Sequence, residues 1–199
     1  MVLLGILISY LTGSFPSAYI LGRFFKGIDI RKHGSGNVGA TNAFRVLGPV
    51  NGVIVLVLDI LKGIIPVTLL ADYFLGFWNF SPLILRIILG LACVCGHNWT
   101  LFLRFKGGKG VATTLGVLAG LGIAIVELRT VLLLTVAAWL LVFLVFRIVS
   151  LASVISAVVF PLFVFILQAS KELLIFSLIL SIFIIIRHKK NLLGLMHKN

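Results

Sequence analysis

Residues 130–146 read TVLLLTVAAWLLVFLVF, a stretch without a charged side chain. A helix that crosses a membrane needs about 20 mainly apolar residues, because the hydrocarbon core is about 30 Å thick and an α-helix rises about 1.5 Å per residue. On either side of this stretch, other segments have a similar character. The predicted spans are Met1–Gly22, Val50–Ala71, Pro82–Asn98, Val111–Val126, Thr130–Phe146, Ile148–Ser170 and Leu173–Ile186. The sequence therefore predicts an all-α polytopic membrane protein with seven transmembrane helices, in one domain over residues 1–199.

The composition supports this class and excludes others. Hydrophobic residues make up 61% of the chain and charged residues 11%, whereas an average soluble domain is about 45–50% apolar and about 25% charged. Cys93 and Cys95 lie together in an apolar run, which excludes a disulfide framework and a zinc site built on cysteines. We expect both to be packing residues, and we expect no metal and no cofactor.

The net charge of +12 would suggest a nucleic-acid partner if the protein were soluble. In a membrane protein it has another explanation, since Lys and Arg concentrate in cytoplasmic loops. We therefore expect no nucleic acid and no obligate protein partner, with the lipid bilayer as the surroundings of the chain. The first predicted span has no charge before Arg23, so it lacks the basic start of a cleavable signal peptide and is interpreted as a retained helix.

One orientation of the spans gathers almost all cations on one face. The residues on that face are Arg23, Lys26, Arg31, Lys32, Arg45, Arg104, Lys106, Lys109, Arg147, Arg187, Lys189, Lys190 and Lys198. The cations on the opposite face, with the acidic residues that balance them, are Arg86, Arg129, Lys171, Asp72, Glu127 and Glu172. The positive-inside rule then places the N-terminus outside and the C-terminus in the cytoplasm.

Residues 31–45, the first polar segment, read RKHGSGNVGATNAFR. Glycines let a backbone approach a ligand closely, and successive exposed N–H groups form an anion-binding nest, so phosphate is the natural guest. Gly34, Gly36 and Gly39 match G-x-G-x-x-G, but that pattern indicates a dinucleotide site only between a strand and a helix. A flexible loop with topogenic charges is the alternative. The candidate site residues are Ser35, Gly36, Asn37, Thr41, Asn42 and Arg45.

Residues 96–114, the second polar segment, read GHNWTLFLRFKGGKGVATT. The KGGKG core opens the fourth predicted span, and a helix N-terminus with two added lysines stabilises an anion. It is not a Walker A loop, because Lys109 is followed by Gly110 rather than by Ser or Thr. Positive-inside charge is the alternative for the two lysines. The candidate phosphate-binding residues are His97, Lys106, Gly107, Gly108, Lys109 and Gly110.

The tail and two spans carry further polar groups. His188 and Asn191 lie three apart and share a face if the last helix continues, although a polybasic tail more often contacts anionic lipid headgroups. Ser150 and Ser153 begin a polar stripe on the sixth span, for which helix packing and substrate binding are equally good explanations. Asp59 and Lys62, spaced i, i+3, are expected to form a structural ion pair.

These segments, in this order, resemble the bacterial acyl-phosphate:glycerol-3-phosphate acyltransferase (PlsY) family over essentially the whole chain. The matching motifs are GSGNVGATN at 34–42, DILKG at 59–63, GH at 96–97, FKGGKGVAT at 105–113, and RH at 187–188 with Asn191. The chain departs from the family pattern at Lys190, where an acidic residue is usual, and at Thr100, where proline is common.

The resemblance implies transfer of a fatty acyl group from acyl phosphate to the 1-hydroxyl of glycerol 3-phosphate, giving lysophosphatidic acid at the bacterial cytoplasmic membrane. It implies that Ser35 and Arg45 are essential, that the glycines at 107–110 bind glycerol phosphate, and that His188 and Asn191 belong to a cytoplasm-facing active site. We expect all three polar segments to converge there, since both reactants must lie within a few ångströms of each other.

Acyl phosphate is a mixed anhydride with a good leaving group, so positioning and stabilisation of the tetrahedral oxyanion suffice without a covalent nucleophile. The sequence has no G-x-S-x-G elbow. The general base is then His188, His97 or a substrate phosphate oxygen. A transporter for phosphorylated metabolites is the alternative function, but it should show inverted repeats or paired broken helices, and the sequence shows neither.

Overall fold

The structure is a computed structural model that describes residues 1–79, 81–126, 128–167 and 169–196. Every regular element in these ranges is helical, which confirms the all-α class. The α-helices are α1 (Val2–Ser14), α2 (Ser17–Lys26), α3 (Ala40–Leu47), α4 (Pro49–Ile65), α5 (Ala71–Phe74), α6 (Pro82–Asn98), α7 (Val111–Ala124), α8 (Leu128–Phe146), α9 (Val149–Ile166) and α10 (Lys171–Met196). Glu127 and Lys198, which entered the charge count, lie outside the described residues.

Five helical segments among the described residues are long and apolar enough to cross a membrane. They are Val2–Lys26, Pro49–Phe77, Pro82–Leu103, Leu128–Phe146 and Val149–Ile166. The other two predicted spans do form helices. However, α7 has only 14 residues, and α10 carries charged residues at both ends of its apolar part. The membrane-protein class agrees with the sequence, and the number of seven spans stays a prediction.

The first predicted span is not one continuous helix, which corrects the prediction for Met1–Gly22. The chain leaves the helix at Phe15 and resumes at Ser17. Pro16 causes the break, because it has no N–H to donate and it disfavours helical geometry in the residue before it. The second part then continues to Lys26, beyond the predicted end.

The chain consists of two compact units, and the first covers Met1–Leu121. Its helices approach closely where glycines face neighbouring backbone. A Cβ atom on Gly13 would lie 1.9 Å from the Cys93 carbonyl oxygen, and one on Gly116 would lie 2.0 Å from the Ile60 carbonyl oxygen. No side chain fits in either place, so α1 packs on α6 and α7 packs on α4 with backbones almost in contact. Cys93 is fully buried and unoxidised, as a packing residue should be.

The second unit covers Gly122–Asn199. Within it, α8 and α9 form a helical hairpin with a two-residue connection at 147–148. The Trp139 indole donates a hydrogen bond to the Ser153 hydroxyl across this hairpin, at 3.2 Å. The Ser181 hydroxyl donates to the Ala157 carbonyl and so ties α10 to α9. Serines thus supply the polar contacts between these otherwise apolar helices.

Candidate functional site

The glycine loop, residues 106–110, leads into α7. Hydrogen bonds to the last residues of α6 fix its position. The N–H of Gly108 donates to the His97 carbonyl at 3.0 Å, and the N–H of Gly107 donates to the Asn98 carbonyl at 3.2 Å. These two N–H groups were candidate phosphate donors, but in the structure they bond to the protein. The first N–H groups of α7, which have no partner within their own helix, are better placed to receive an anion.

The loop also requires glycine for steric reasons. A Cβ atom on Gly107 would lie 2.0 Å from the His97 carbonyl oxygen, and one on Gly108 would lie 2.1 Å from the His97 Nε2 atom. Gly110 has φ +80°, in the left-handed region that favours glycine. The KGGKG sequence therefore permits a close approach of the loop to the His97 ring.

The first polar segment is organised by the side chain of Asn42, which is 1% exposed. Its Oδ1 atom accepts a hydrogen bond from the Ser35 N–H at 2.9 Å. Its Nδ2 group donates to the carbonyls of His33 and Asn37, both at 3.1 Å, and lies 3.4 Å from the Ile30 carbonyl. The sequence predicts Asn42 as a substrate contact. In the structure its amide bonds to the loop backbone and holds the loop together, and the contact with substrate stays a prediction.

Asp29 and Arg31 fix the start of this segment, although the sequence alone does not indicate this role. The Arg31 guanidinium donates to both carboxylate oxygens of Asp29, at 2.9 Å from Nε and 2.7 Å from Nη2. These hydrogen bonds favour the charged carboxylate and lower the pKa of Asp29 to about 2. Arg31 also lies over the Tyr19 ring, 5.1 Å from its centre. An Asp and an Arg two residues apart are a common pair in loops. Their spacing alone therefore does not predict that they fix the start of this segment.

Several predicted site residues of the first unit lie at its surface. Ser35, Thr41, Arg45 and Lys106 are exposed, while Gly36, Asn37 and Lys109 are half-buried. The exposed hydroxyls and cations are free of the crowding that surrounds Asn42. They are accessible from outside the protein.

A cavity in the first unit lies where the two polar segments meet the break between α1 and α2. The break contributes residues 13–16, the first polar segment contributes Val38, and the second contributes His97, Thr100 and Gly107–Gly108. The empty space, counted with the part open to solvent, is about 170 Å³. Two of the three predicted segments thus come together. Convergence of the tail with them stays a prediction.

Lys62 reaches this cavity from α4 and is paired with Asp59, as predicted, at 2.8 Å. Its ammonium also donates to the Phe15 carbonyl at 3.0 Å, an acceptor that the Pro16 break deprives of a helical partner. The i, i+3 spacing revealed the ion pair. The same spacing did not predict that Lys62 also bonds to the Phe15 carbonyl at the break between α1 and α2.

Thr100 supports the same break. Its hydroxyl donates to the Ser14 carbonyl at 2.6 Å, and its own carbonyl accepts from the Phe105 N–H at 2.8 Å. Proline, which is common at this position in the family that the sequence resembles, has no hydroxyl to make the first bond. The departure at Thr100 therefore adds a hydrogen bond between the second polar segment and the end of α1.

Three buried polar side chains near the glycine loop have no hydrogen-bond partner within the described part of the chain. They are Asn98, at the end of α6, and Thr113 and Thr114, in the first turn of α7. The Asn98 amide lies against Gly110, where a Cβ atom would be 2.7 Å from its Oδ1 atom. A buried unpaired polar group costs about 1–3 kcal/mol. These three side chains therefore lower the free energy of unfolding of this region.

The second unit holds the remaining candidates. α10 continues to Met196, so His188 and Asn191 share a helical face as predicted. His188 is 3% exposed, and its Nδ1 atom lies 2.8 Å from the Ile184 carbonyl oxygen. The Ser153 hydroxyl donates to the Val149 carbonyl at 2.8 Å besides accepting from Trp139, which favours the packing explanation. Ser150 is half-buried at the start of α9.

Comparisons with known proteins agree with the motifs. The family model described as glycerol-3-phosphate acyltransferase matches residues 3–198. The glycerol-3-phosphate acyltransferase of Fusobacterium nucleatum subsp. nucleatum is 40% identical over 187 residues, covering 94% of this chain and 90% of the relative. That of Endomicrobium trichonymphae is 43% identical over 197 residues, covering 99% of this chain and 93% of the relative.

Solved structures give the same result. The crystal structure of PlsY, an integral membrane glycerol 3-phosphate acyltransferase, in its glycerol 3-phosphate form has a TM-score of 0.86 and 38% sequence identity to this chain, covering 98% of it and 92% of PlsY. The lysophosphatidic acid form of PlsY has a TM-score of 0.83 with the same coverage. The chain therefore belongs to the glycerol-3-phosphate acyltransferase family.

Proposed function

We propose that this chain transfers a fatty acyl group from acyl phosphate to the 1-hydroxyl of sn-glycerol 3-phosphate, giving lysophosphatidic acid for phospholipid synthesis. The observation that carries the proposal is the cavity in which the first polar segment meets the glycine loop, beside a buried ammonium group and a histidine. The relatives support it, since PlsY has been crystallised in glycerol 3-phosphate and lysophosphatidic acid forms.

The reaction needs anion binding and positioning more than it needs reactive side chains. The glycerol hydroxyl oxygen attacks the acyl carbon, the bond from that carbon to the phosphate oxygen breaks, and inorganic phosphate leaves. Arg45, Lys106 and Lys109 bind the phosphate groups, together with the first N–H groups of α7. A phosphate oxygen of the substrate accepts the hydroxyl proton, so no side chain has to change its protonation state.

In this proposal Ser35 donates to a substrate oxygen from its exposed position, and His188 and Asn191 position substrate from α10. Their assignment rests on the family motif and on the shared helical face. Gly36, Gly107, Gly108 and Gly110 give the loops their close approach, with Asn37, Thr41 and His97 as further polar contacts. Ser150 and Ser153 remain candidate contacts, with Ser153 already engaged in helix packing.

The proposal also includes the membrane in which the chain lies, the number of its spans and their orientation. We place the chain in the bacterial cytoplasmic membrane, with seven spans, the N-terminus outside and the active site facing the cytoplasm. The positive-inside distribution of Lys and Arg supports it. Engineered cysteines at positions 37, 106 and 189 should resist a membrane-impermeant thiol reagent added to intact cells. Position 106 represents the glycine loop because its side chain is exposed, whereas Gly108 leaves no room for a side chain. Ready labelling of any of them would contradict this topology.

The direct test is product formation by the purified protein in detergent. Acyl phosphate and radiolabelled glycerol 3-phosphate should give labelled lysophosphatidic acid, with acyl-CoA as the parallel donor to test donor specificity. Absence of product with every acyl donor would overturn the activity. Product from acyl-CoA alone would retain the acyltransferase but reject acyl phosphate as its substrate.

The proton route has its own test in His188→Gln, because glutamine keeps a hydrogen-bond donor but cannot act as a base near neutral pH. If His188 only positions substrate, the variant should keep substantial turnover with an unchanged pH profile of kcat. Near-complete loss of kcat with intact substrate binding would instead make His188 the base.

A further inference from the structure

Lys62 is a cation buried inside the first unit, and contacts at both of its ends hold it in place. Its ammonium lies 2.8 Å from the Oδ1 atom of Asp59 and donates to the Phe15 carbonyl at 3.0 Å. Its backbone carbonyl accepts a hydrogen bond from the Cys93 thiol, because Pro66, four residues further on, has no N–H to donate. The side chain is only 7% exposed. Lys62 therefore has little conformational freedom.

One N–H bond of this ammonium remains available. An ammonium group has three donors, and in the part of the chain that the structure describes its acceptors are Asp59 and Phe15. Lys62 and Phe15 both line the cavity, so the ammonium lies at the cavity wall. A buried donor without an acceptor is unfavourable for stability. A molecule in the cavity that carries an acceptor would satisfy the third N–H.

The same turn of α4 packs against the start of α7. A Cβ atom on Gly63 would lie 2.3 Å from the Thr113 carbonyl oxygen and 2.9 Å from the Val117 nitrogen. The two helices are therefore in backbone contact at the residue next to Lys62. The residues Gly107 and Gly108, which precede α7, line the cavity together with Lys62. A buried cation from α4 and a helix N-terminus, which favours anions, thus lie in one region.

From this arrangement we infer that Lys62 binds a phosphate group of a substrate through its third N–H. The inference rests on the proposed function and adds a binding residue to it. A hydrogen bond from an ammonium to a phosphate oxygen is about twice as strong as one between neutral groups. Since Asp59 and Phe15 already hold the ammonium, substrate binding does not have to immobilise a flexible side chain. Asp59 thereby positions the cation besides offsetting its charge.

Two substitutions that break the same ion pair should have different kinetic effects. Lys62→Met removes the proposed contact and should raise the KM of a phosphorylated substrate about 10–100-fold, as expected for one charge-assisted hydrogen bond. The substrate whose KM rises, glycerol 3-phosphate or acyl phosphate, is the one whose phosphate contacts Lys62. Asp59→Asn keeps the ammonium and should leave both KM values close to those of the wild type. Equal KM values in the two variants would overturn the inference.

Each single variant leaves a buried group without its charged partner, which can prevent folding. The double variant Asp59→Asn/Lys62→Met removes both charges and avoids that cost, so its melting temperature should be close to that of the wild type. It should show the raised KM expected of Lys62→Met. Wild-type KM values in the folded double variant would show that Lys62 has only a structural role and would overturn the inference.

Arg86 is the matched control, because it has the same kinds of partner as Lys62. Its guanidinium donates to the Asp72 carboxylate and to the Val67 carbonyl, its side chain is 11% exposed, and it does not line the cavity. Arg86→Met should lower the melting temperature but leave both KM values unchanged. Equal KM rises in Arg86→Met and Lys62→Met would show a general effect of losing a buried cation and would overturn the inference.

A second measurement requires no turnover. Inorganic phosphate at constant ionic strength should raise the melting temperature of the full-length wild-type protein in detergent, because it binds the folded state. The rise should be smaller in Asp59→Asn/Lys62→Met and unchanged in Arg86→Met. No rise in the wild type, or an equal rise in all three proteins, would overturn the inference. The expected pattern in a protein that forms no lysophosphatidic acid would reject the proposed function and retain phosphate binding by Lys62.

Discussion

The first polar segment and the glycine loop both lead into the N-terminus of a helix, and both contain glycines with positive φ. Different atoms hold them in shape. In the first segment one side-chain amide, that of Asn42, joins carbonyl and N–H groups from several residues. In the glycine loop, backbone N–H groups of Gly107 and Gly108 bond to backbone carbonyls of α6. Removing the Asn42 side chain should therefore disturb the first segment. In the glycine loop the bonds come from the backbone, so the disturbing change is the addition of a side chain to a glycine.

The largest effect is expected from adding a methyl group to the glycine loop. Gly107→Ala places a Cβ atom 2.0 Å from a backbone carbonyl oxygen that cannot move without α6. Displacing the loop by about 1 Å is expected to lower kcat/KM on the order of 100-fold. Steady-state kinetics of the purified variant measure this.

Gly76→Ala is the control for this change, because Gly76 has no heavy atom within 4 Å of its Cβ position. It should retain wild-type activity and melting temperature. Equal kinetic constants for Gly107→Ala and Gly76→Ala would show that the loop adjusts freely, and the comparison of the two segments would then fail.

A smaller loss is expected from removing the amide that organises the first polar segment. Asn42→Ala leaves the Ser35 N–H and two carbonyls without their partner, which should lower the free energy of unfolding by about 2–3 kcal/mol. Thermal unfolding in detergent measures the change. Asn51→Ala is the matched control, since its amide makes one hydrogen bond, to the Leu47 carbonyl. If both variants melt at the same temperature, Asn42 is not the organising residue.

The two segments also differ in how much of their structure could be predicted from the sequence. Composition and spacing identified the glycine loop, the helix that follows it and the Asp59–Lys62 pair, because these depend on local patterns. The role of Asn42 could not be predicted, since an asparagine in a glycine-rich loop is equally suited to bind a ligand or the loop itself. Only the fold shows that its partners are backbone groups.

The helix break at Pro16 illustrates the same limit. A proline in an apolar run predicts a kink, but the hydropathy of Met1–Gly22 is high throughout and by itself predicts one continuous helix. The groups that support the break, Lys62 and Thr100, are distant in sequence. Long-range partners of this kind leave no pattern in a single sequence, whereas the apolar runs that form the helices do.

The third prediction separates phosphate binding from topogenic charge. Arg45→Ala and Lys109→Ala should each remove a charge-assisted hydrogen bond of roughly 1.5–3 kcal/mol, or about 10–100-fold in kcat/KM. Lys198→Ala, at the end of the tail, should change almost nothing. Equal and small effects at all three positions would show that these cations only orient the chain in the membrane.

The smallest effect concerns Asp29, which sets the start of the first polar segment. Its pKa is lowered to about 2 from 3.8 by the Arg31 guanidinium. A lowered pKa means that the folded state holds the carboxylate more strongly than the unfolded state does, so the contribution is complete above about pH 4. It is lost as the pH falls from about 4 towards 2, when the folded state also binds the proton.

Asp29→Asn should therefore lower the melting temperature at pH 7 and at pH 5 by the same small amount. Below pH 4 the difference between wild type and variant should shrink and approach zero near pH 2. Melting curves of both proteins across pH 2–7 in one detergent measure this. A difference that stays constant down to pH 2 would mean that the pair with Arg31 does not stabilise the segment. The shape of the first polar segment would then depend on the Asn42 amide and on backbone hydrogen bonds such as that from the Gly36 N–H to the His33 carbonyl.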